Sequence, residues 1–163
     1  MADMTAGKHD KPFLFRLPII LSAIHLVLFL ITMLSGLKTA SGGNPLFCVD
    51  LPMSLPLVGR DDTWTVVAVG ILATIWWFFI GQVGWLSRQG KISRTVSAAG
   101  AGLVLLICAA AAYAMISQFV LISREPDFST IDAVIYMFAA ALLAGGLISA
   151  GYAARATFKS TGR

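Results

Sequence analysis

The sequence predicts an all-α integral membrane protein, a bundle of four membrane-spanning helices with both termini cytoplasmic and one long outer loop between helices 1 and 2. Three observations lead to this fold class. Apolar residues make up 58% of the chain and charged residues only 12%, whereas soluble domains carry roughly a quarter charged residues. The apolar residues are concentrated in four long runs. The basic residues cluster at the ends of these runs, where membrane topology places them.

The predicted spans cover residues 15–37, 63–86, 94–122 and 131–155 of a single membrane domain, 1–163. Each span is long enough to cross a hydrocarbon core of ~30 Å at ~1.5 Å per residue. The outer loops are then 38–62 and 123–130, and a short basic cytoplasmic loop, 87–93, joins helices 2 and 3. The first span exceeds the ~7–15 apolar residues of a cleaved signal peptide, so we expect a retained anchor.

Two residues mark the ends of the second and third spans. Gly90 lies just past the second span, and glycine readily takes the left-handed conformation that closes a helix. Pro126 follows the third span and would break a helix that contained it. Both spans are therefore expected to end before these residues.

The distribution of basic residues predicts the orientation of the chain. One face of the membrane receives nine Lys and Arg residues, namely Lys8, Lys11, Arg16, Arg88, Lys91, Arg94, Arg155, Lys159 and Arg163. The other face receives three, which are Lys38, Arg60 and Arg124. Since cytoplasmic loops carry the excess of Lys and Arg, the sequence predicts a multi-pass protein of the plasma (inner) membrane with its basic face in the cytoplasm.

Small residues on the third and fourth helices predict that these two helices pack closely together. Helices in lipid associate through close approach of their backbones, which small side chains allow. On the fourth helix, Ala141, Gly145 and Ser149 recur every four residues, and Ala98 and Gly102 begin a similar stripe on the third. We expect these stripes to serve packing inside the bundle rather than dimerisation.

The second helix and the first outer loop are the predicted partner surface. Trp76 and Trp77 are bulky side chains suited to contact lipid or another protein. The outer loop is unusually apolar and includes Phe47, Leu51 and Leu55. Because an apolar loop is unfavourable in water, three placements are open. It lies on the outer membrane surface, folds over the mouth of the bundle, or docks on a partner.

His25 is the polar residue nearest the middle of the first span, and polar groups at that depth are candidates for function. A haem site needs a second axial ligand, but the other histidine, His9, is in the N-terminal segment. We therefore predict no cofactor, and expect instead a neutral imidazole hydrogen-bonded to a neighbouring helix.

Uncharged polar residues in the outer half of the spans suggest a cavity for a small ligand. Together with His25, this set comprises Thr32, Tyr113, Ser117, Gln118 and Tyr136. The same residues are also expected of an ordinary interface, where tyrosine is enriched and hydrogen-bonds to headgroups. The sequence leaves both interpretations open.

No motif in the sequence predicts catalysis or metal binding. No Asp, Glu, Lys or Arg lies deep in a predicted span, which argues against ion-coupled transporters. The chain has two cysteines, Cys48 and Cys108, and lacks the C-x-x-C of membrane thiol oxidoreductases. A bridge between them requires the first outer loop to dip into the membrane, and we do not expect one. Cys48 is left available to pair between chains.

Two hypotheses about function follow. The first is a non-enzymatic accessory or interaction subunit of a membrane complex, whose partners are the lipid bilayer and another membrane protein or a second copy of the chain. The second is an autonomous small-molecule binder or passive channel that uses the outer polar residues. Nucleic acid is not an expected partner, because no dense basic patch with interleaved aromatics is present.

Overall fold

A computed structural model describes residues 11–34, 48–51, 53–54, 63–124 and 130–158, with the side chains of 11–15 excepted. Four long helices occupy most of this part of the chain. They are α1 (Lys11–Leu34), α2 (Thr63–Arg88), α3 (Arg94–Ile122) and α4 (Thr130–Phe158). Each contains an apolar segment of 19 to 29 residues, long enough to cross a membrane. The prediction of four helices able to span a membrane is confirmed.

The helices form a bundle in which α2 and α4 lie in contact across the centre. The most extensive contacts join α3 to α4, α1 to α2, and α2 to α4. α1 also contacts α4, whereas α2 contacts α3 only slightly. α1 and α3 therefore occupy opposite corners. The close packing of α3 against α4 that the sequence predicts is confirmed.

Glycines on α2 and α4 allow the helices to approach closely. A Cβ atom added at Gly84 would lie 2.7 Å from Ser149 Oγ on α4, and one added at Gly81 would lie 2.5 Å from Pro18 Cα on α1. A Cβ atom at Gly145 would overlap the Leu21 side chain. These contacts are the backbone approach that drives helix association in lipid.

The structure corrects the predicted small-residue face of α3. Gly145 and Ser149 are buried, as expected, but Ala141 is exposed on α4. Ala98 and Gly102 are exposed on α3, and a Cβ atom added at Gly102 would meet nothing within 4 Å. The residues of α3 that face the bundle are Ser97, Ala101, Val104, Cys108 and Ala111. The predicted face was wrong by about one residue, which is a rotation of about 100° around the helix.

The connection between α2 and α3 is a well-defined turn. Gly90 has φ +66°, the left-handed conformation predicted for it. Its N–H bonds to the carbonyl of Ser87, and the N–H of Lys91 bonds to the carbonyl of Leu86. This pair of hydrogen bonds closes α2 in a Schellman motif. Ser93 then caps α3, since its side chain accepts a hydrogen bond from the N–H of Val96.

Candidate functional site

His25 lies at the centre of the apolar segment Arg16–Leu34 and is completely buried, with 0% of its surface exposed. Its ring contacts two other parts of the chain. Nδ1 lies 2.8 Å from Oγ1 of Thr74 on α2, and Nε2 lies 2.7 Å from Oδ1 of Asp50 in the segment between α1 and α2. The predicted hydrogen bond from His25 to a neighbouring helix is therefore present, together with an acidic partner that was not predicted.

The hydrogen bonds of Thr74 determine which ring nitrogen carries a proton. Thr74 Oγ1 donates to the carbonyl of Gly70, at 2.7 Å, so its proton is already used. It can then only accept from His25, and Nδ1 must be protonated. A second proton lies between His25 Nε2 and Asp50 Oδ1. Wherever that proton lies on the bond, the pair has no net charge, which is the least costly state for two buried ionisable groups.

The environment of Asp50 favours retention of this proton. The residue is 1% exposed, and this burial raises the pKa of its carboxyl group above the ordinary value. The hydrogen bond and charge of His25 oppose the effect without cancelling it. The indole N–H of Trp77 also lowers the pKa of Asp50, although it does not reach hydrogen-bonding geometry.

Asp50 belongs to a turn that enters the bundle from the loop. Cys48, Val49, Asp50 and Ser54 are all buried, and the N–H of Ser54 bonds to the carbonyl of Asp50 at 3.1 Å. Of the three placements open to the outer loop, this turn adopts the one that folds into the bundle mouth. The spans themselves contain no deep acid, but the loop supplies one. The sequence did not predict an ionisable group from the loop at this depth.

The structure separates the residues predicted to line one outer cavity. His25, Thr32 and Tyr136 are buried within the bundle. Gln118 is partly buried on α3. Tyr113 is 77% exposed, and Ser117 is also exposed on α3. The prediction is wrong for Tyr113 and Ser117, because these residues lie on the outer surface of the bundle.

The predicted partner surface is also corrected. Trp77 is 1% exposed and packs near Gly146 of α4, so it does not face lipid or a partner. Trp76 and Leu51 are partly buried. Phe47 and Leu55 lie outside the described residues. The bulky side chains that α2 exposes are Trp64, Ile71, Leu72, Ile75, Phe78 and Phe79.

Cys48 and Cys108 are both buried free thiols. Cys48 lies within electrostatic range of Tyr136 near the start of α4, and burial raises the pKa of its thiol. Cys108 faces Gly146, more than two turns further along α4. Among the described residues, no group of three or more His, Cys, Asp or Glu side chains is placed to hold a metal ion.

Sequence reasoning missed Asp50 and Thr74 as partners of His25. The sequence places Asp50 in the predicted outer loop, 38–62, and does not indicate that it enters the bundle. A usable signal was present, because Asp50 is a lone acid in an apolar stretch, Phe47 to Met53, and a buried histidine requires hydrogen-bond partners. Thr74 gives no comparable signal, since hydroxyl residues are ordinary in membrane helices.

Comparison of the chain with protein-family models, curated proteins and solved structures found no match.

Proposed function

We propose that the protein is a non-enzymatic accessory or interaction subunit of a membrane complex, and that its docked outer loop contacts the partner. The observation that carries the proposal is the burial of Asp50 against His25. Burial of a carboxyl group is costly unless it is paired. Here the pairing fixes the position of the turn that contains Asp50 rather than opening a cavity. A loop held in one conformation loses less entropy when it binds a partner.

The proposed orientation places both termini on the cytoplasmic side of the plasma (inner) membrane. It is supported by the nine-to-three distribution of Lys and Arg between the two faces. Among the described residues, Arg88, Lys91 and Arg94 lie at the α2–α3 end of the bundle. Arg124 is at the opposite end, next to the end of α3. The docked loop is then on the outer side, where it is available to extracytoplasmic partners.

The proposal is tested by affinity purification of the tagged protein from native membranes in mild detergent, followed by mass spectrometry. Asp50→Lys places a cation opposite His25 and should displace the loop. Thr63→Lys is the matched control, because it adds a lysine at an exposed outer position of α2. We expect a stoichiometric partner with the wild type and the control, and its loss with Asp50→Lys.

Two results would contradict this role. The wild-type chain recovered alone, or only with copies of itself, would count against an accessory subunit. A partner retained by Asp50→Lys would show that the docked loop is not the contact.

A small-molecule binder is the second candidate, because buried polar atoms lack partners near the loop. Trp77 Nε1 and Tyr136 Oη have no hydrogen-bond partner among the described residues. A ligand with an acceptor group would satisfy them. On this alternative, replacement of His25 or Gln118 alters ligand binding or flux while assembly is retained. The accessory role predicts no such change for Gln118.

A further inference from the structure

We propose that the His25–Asp50 pair is a proton-binding site that makes docking of the outer loop depend on pH. The docked loop retains one proton between His25 Nε2 and Asp50 Oδ1, which lie 2.7 Å apart. When the loop is undocked, the pair holds no proton above about pH 6.5. Docking then requires uptake of a proton from solvent, and the loop is released more readily as the pH rises.

The docked state is fixed by the hydrogen bonds around the ring. Nδ1 donates to Thr74, whose own proton is held by the carbonyl of Gly70. A hydrogen bond between Nε2 and Oδ1 therefore contains one further proton. Removal of that proton leaves an uncompensated carboxylate inside the bundle. Addition of another places two donors against each other with a net positive charge. Both changes destabilise the docked state.

The undocked state sets the pH range of the effect. In water a histidine ionises near pH ~6.5 and an aspartate near ~3.9. Above about 6.5 the undocked pair holds none, whereas the docked pair holds one. The docking constant then falls by up to about tenfold per pH unit.

Few other ionisable groups lie near the pair in the described part of the chain. α2 presents Thr74 and Trp77, which do not titrate in this range. The same turn presents the Cys48 thiol, whose pKa is raised by burial. α4 presents Tyr136, with Asp132 one turn nearer its start. The phenol and the thiol ordinarily ionise above about pH 8, so a change near pH 6.5 belongs to the pair.

The inference deepens the proposed function, since the docked loop is the surface proposed to contact a partner. Its test involves no partner and can fail independently. Loss of the pH effect leaves the purification result unaffected. Absence of a partner likewise leaves the pH effect unaffected.

Cys48 reports directly on docking, because it is buried two residues from Asp50. The rate of maleimide labelling of Cys48 is measured in detergent from about pH 5.5 to about pH 8, in a Cys108→Ala variant. Each rate is divided by that of an exposed thiol, Thr63→Cys in a chain with both native cysteines replaced by Ala. The division removes the pH dependence of thiol ionisation itself.

With the native His25–Asp50 pair, we expect the relative labelling rate of Cys48 to rise above about pH 6.5, by up to about tenfold per pH unit. Asp50→Asn should reverse the direction in which the labelling rate of Cys48 changes with pH. An amide donates to a neutral imidazole, so the docked variant holds no proton on the pair, and labelling rises as the pH falls below about 6.5. The double variant His25→Gln/Asp50→Asn should remove the dependence, because neither member of the pair can then ionise.

Two outcomes would overturn the inference. One is a relative rate that does not change with pH in the wild type, or that changes in the same direction in Asp50→Asn. The other is parallel labelling of Cys108, measured in a Cys48→Ala chain. Cys108 lies in the α3–α4 contact, so its exposure would mean that the whole bundle opens rather than the loop.

Discussion

Ser149 on α4 joins the backbone of α2 at Gly84, across the centre of the bundle. Its hydroxyl oxygen accepts a hydrogen bond from the N–H of Gly84 at 3.0 Å and donates to the carbonyl of Ile80. The Ser149 hydroxyl thus bonds to an N–H and a carbonyl group that lie one turn apart on α2. Such an approach requires that residue 84 have no side chain, because a Cβ atom there would lie within 3 Å of Ser149.

Gly84→Ala should therefore destabilise the bundle. The added methyl group forces α2 and α4 apart and lengthens the hydrogen bonds of Ser149. We expect the free energy of unfolding to fall by about 1–3 kcal/mol, the usual cost of an overpacked contact. The measurement is reversible denaturant titration in mild detergent, followed by circular dichroism.

Gly102→Ala is the matched control for this change. A Cβ atom at Gly102 meets nothing within 4 Å, so the substitution should alter the free energy of unfolding by less than about 1 kcal/mol, through helix propensity alone. An equal loss in both variants would mean that α3 packs through Gly102, as the sequence first suggested.

The spans were predictable because length and apolar composition decide them. Runs of this length have few alternatives to a membrane helix. The face of α3 was not predictable by the same reasoning. Residues 97–102, Ser-Ala-Ala-Gly-Ala-Gly, are small all around the helix. Several stripes at a spacing of four residues therefore satisfy close packing equally well, and only the tertiary arrangement selects Ser97 and Ala101.

The candidate site was only half predictable. His25 was identified because a polar group in the middle of a span requires a reason. Its pairing with Asp50 joins residues 25 positions apart through a long loop, and no local periodicity records such a contact. The sequence also did not show which of the two adjacent tryptophans is buried. Adjacent aromatics on a helix point in directions about 100° apart, so Trp76 and Trp77 were never equivalent.

Trp77→Ala should cost much more than Phe79→Ala. Trp77 is buried against α4, and truncation leaves a cavity next to Asp50 and Gly146. We expect a loss of about 3 kcal/mol in the free energy of unfolding. Phe79 is 57% exposed, and its truncation should cost less than about 1 kcal/mol. Similar losses would contradict the inward position of Trp77. The same titration in detergent measures both.

Thr74→Val tests the hydrogen bond that fixes the histidine. Valine matches the shape of threonine but cannot accept from His25 Nδ1, which becomes a buried donor without a partner. We expect the free energy of unfolding to fall by about 1–3 kcal/mol. Thr74→Ser keeps the acceptor and should cost less than about 1 kcal/mol.

The histidine-free background separates this hydrogen bond from other effects of the valine. In a chain that carries both His25→Leu and Asp50→Leu, Thr74 has no imidazole to accept from, while its own hydrogen bond to Gly70 satisfies its proton. Thr74→Val should then be nearly neutral, and the difference between the two backgrounds gives the coupling energy of Thr74 with the pair. If Thr74→Val lowers the free energy of unfolding by the same amount in the leucine background, the effect arises within α2 itself. Thr74 would then not determine which nitrogen of His25 is protonated.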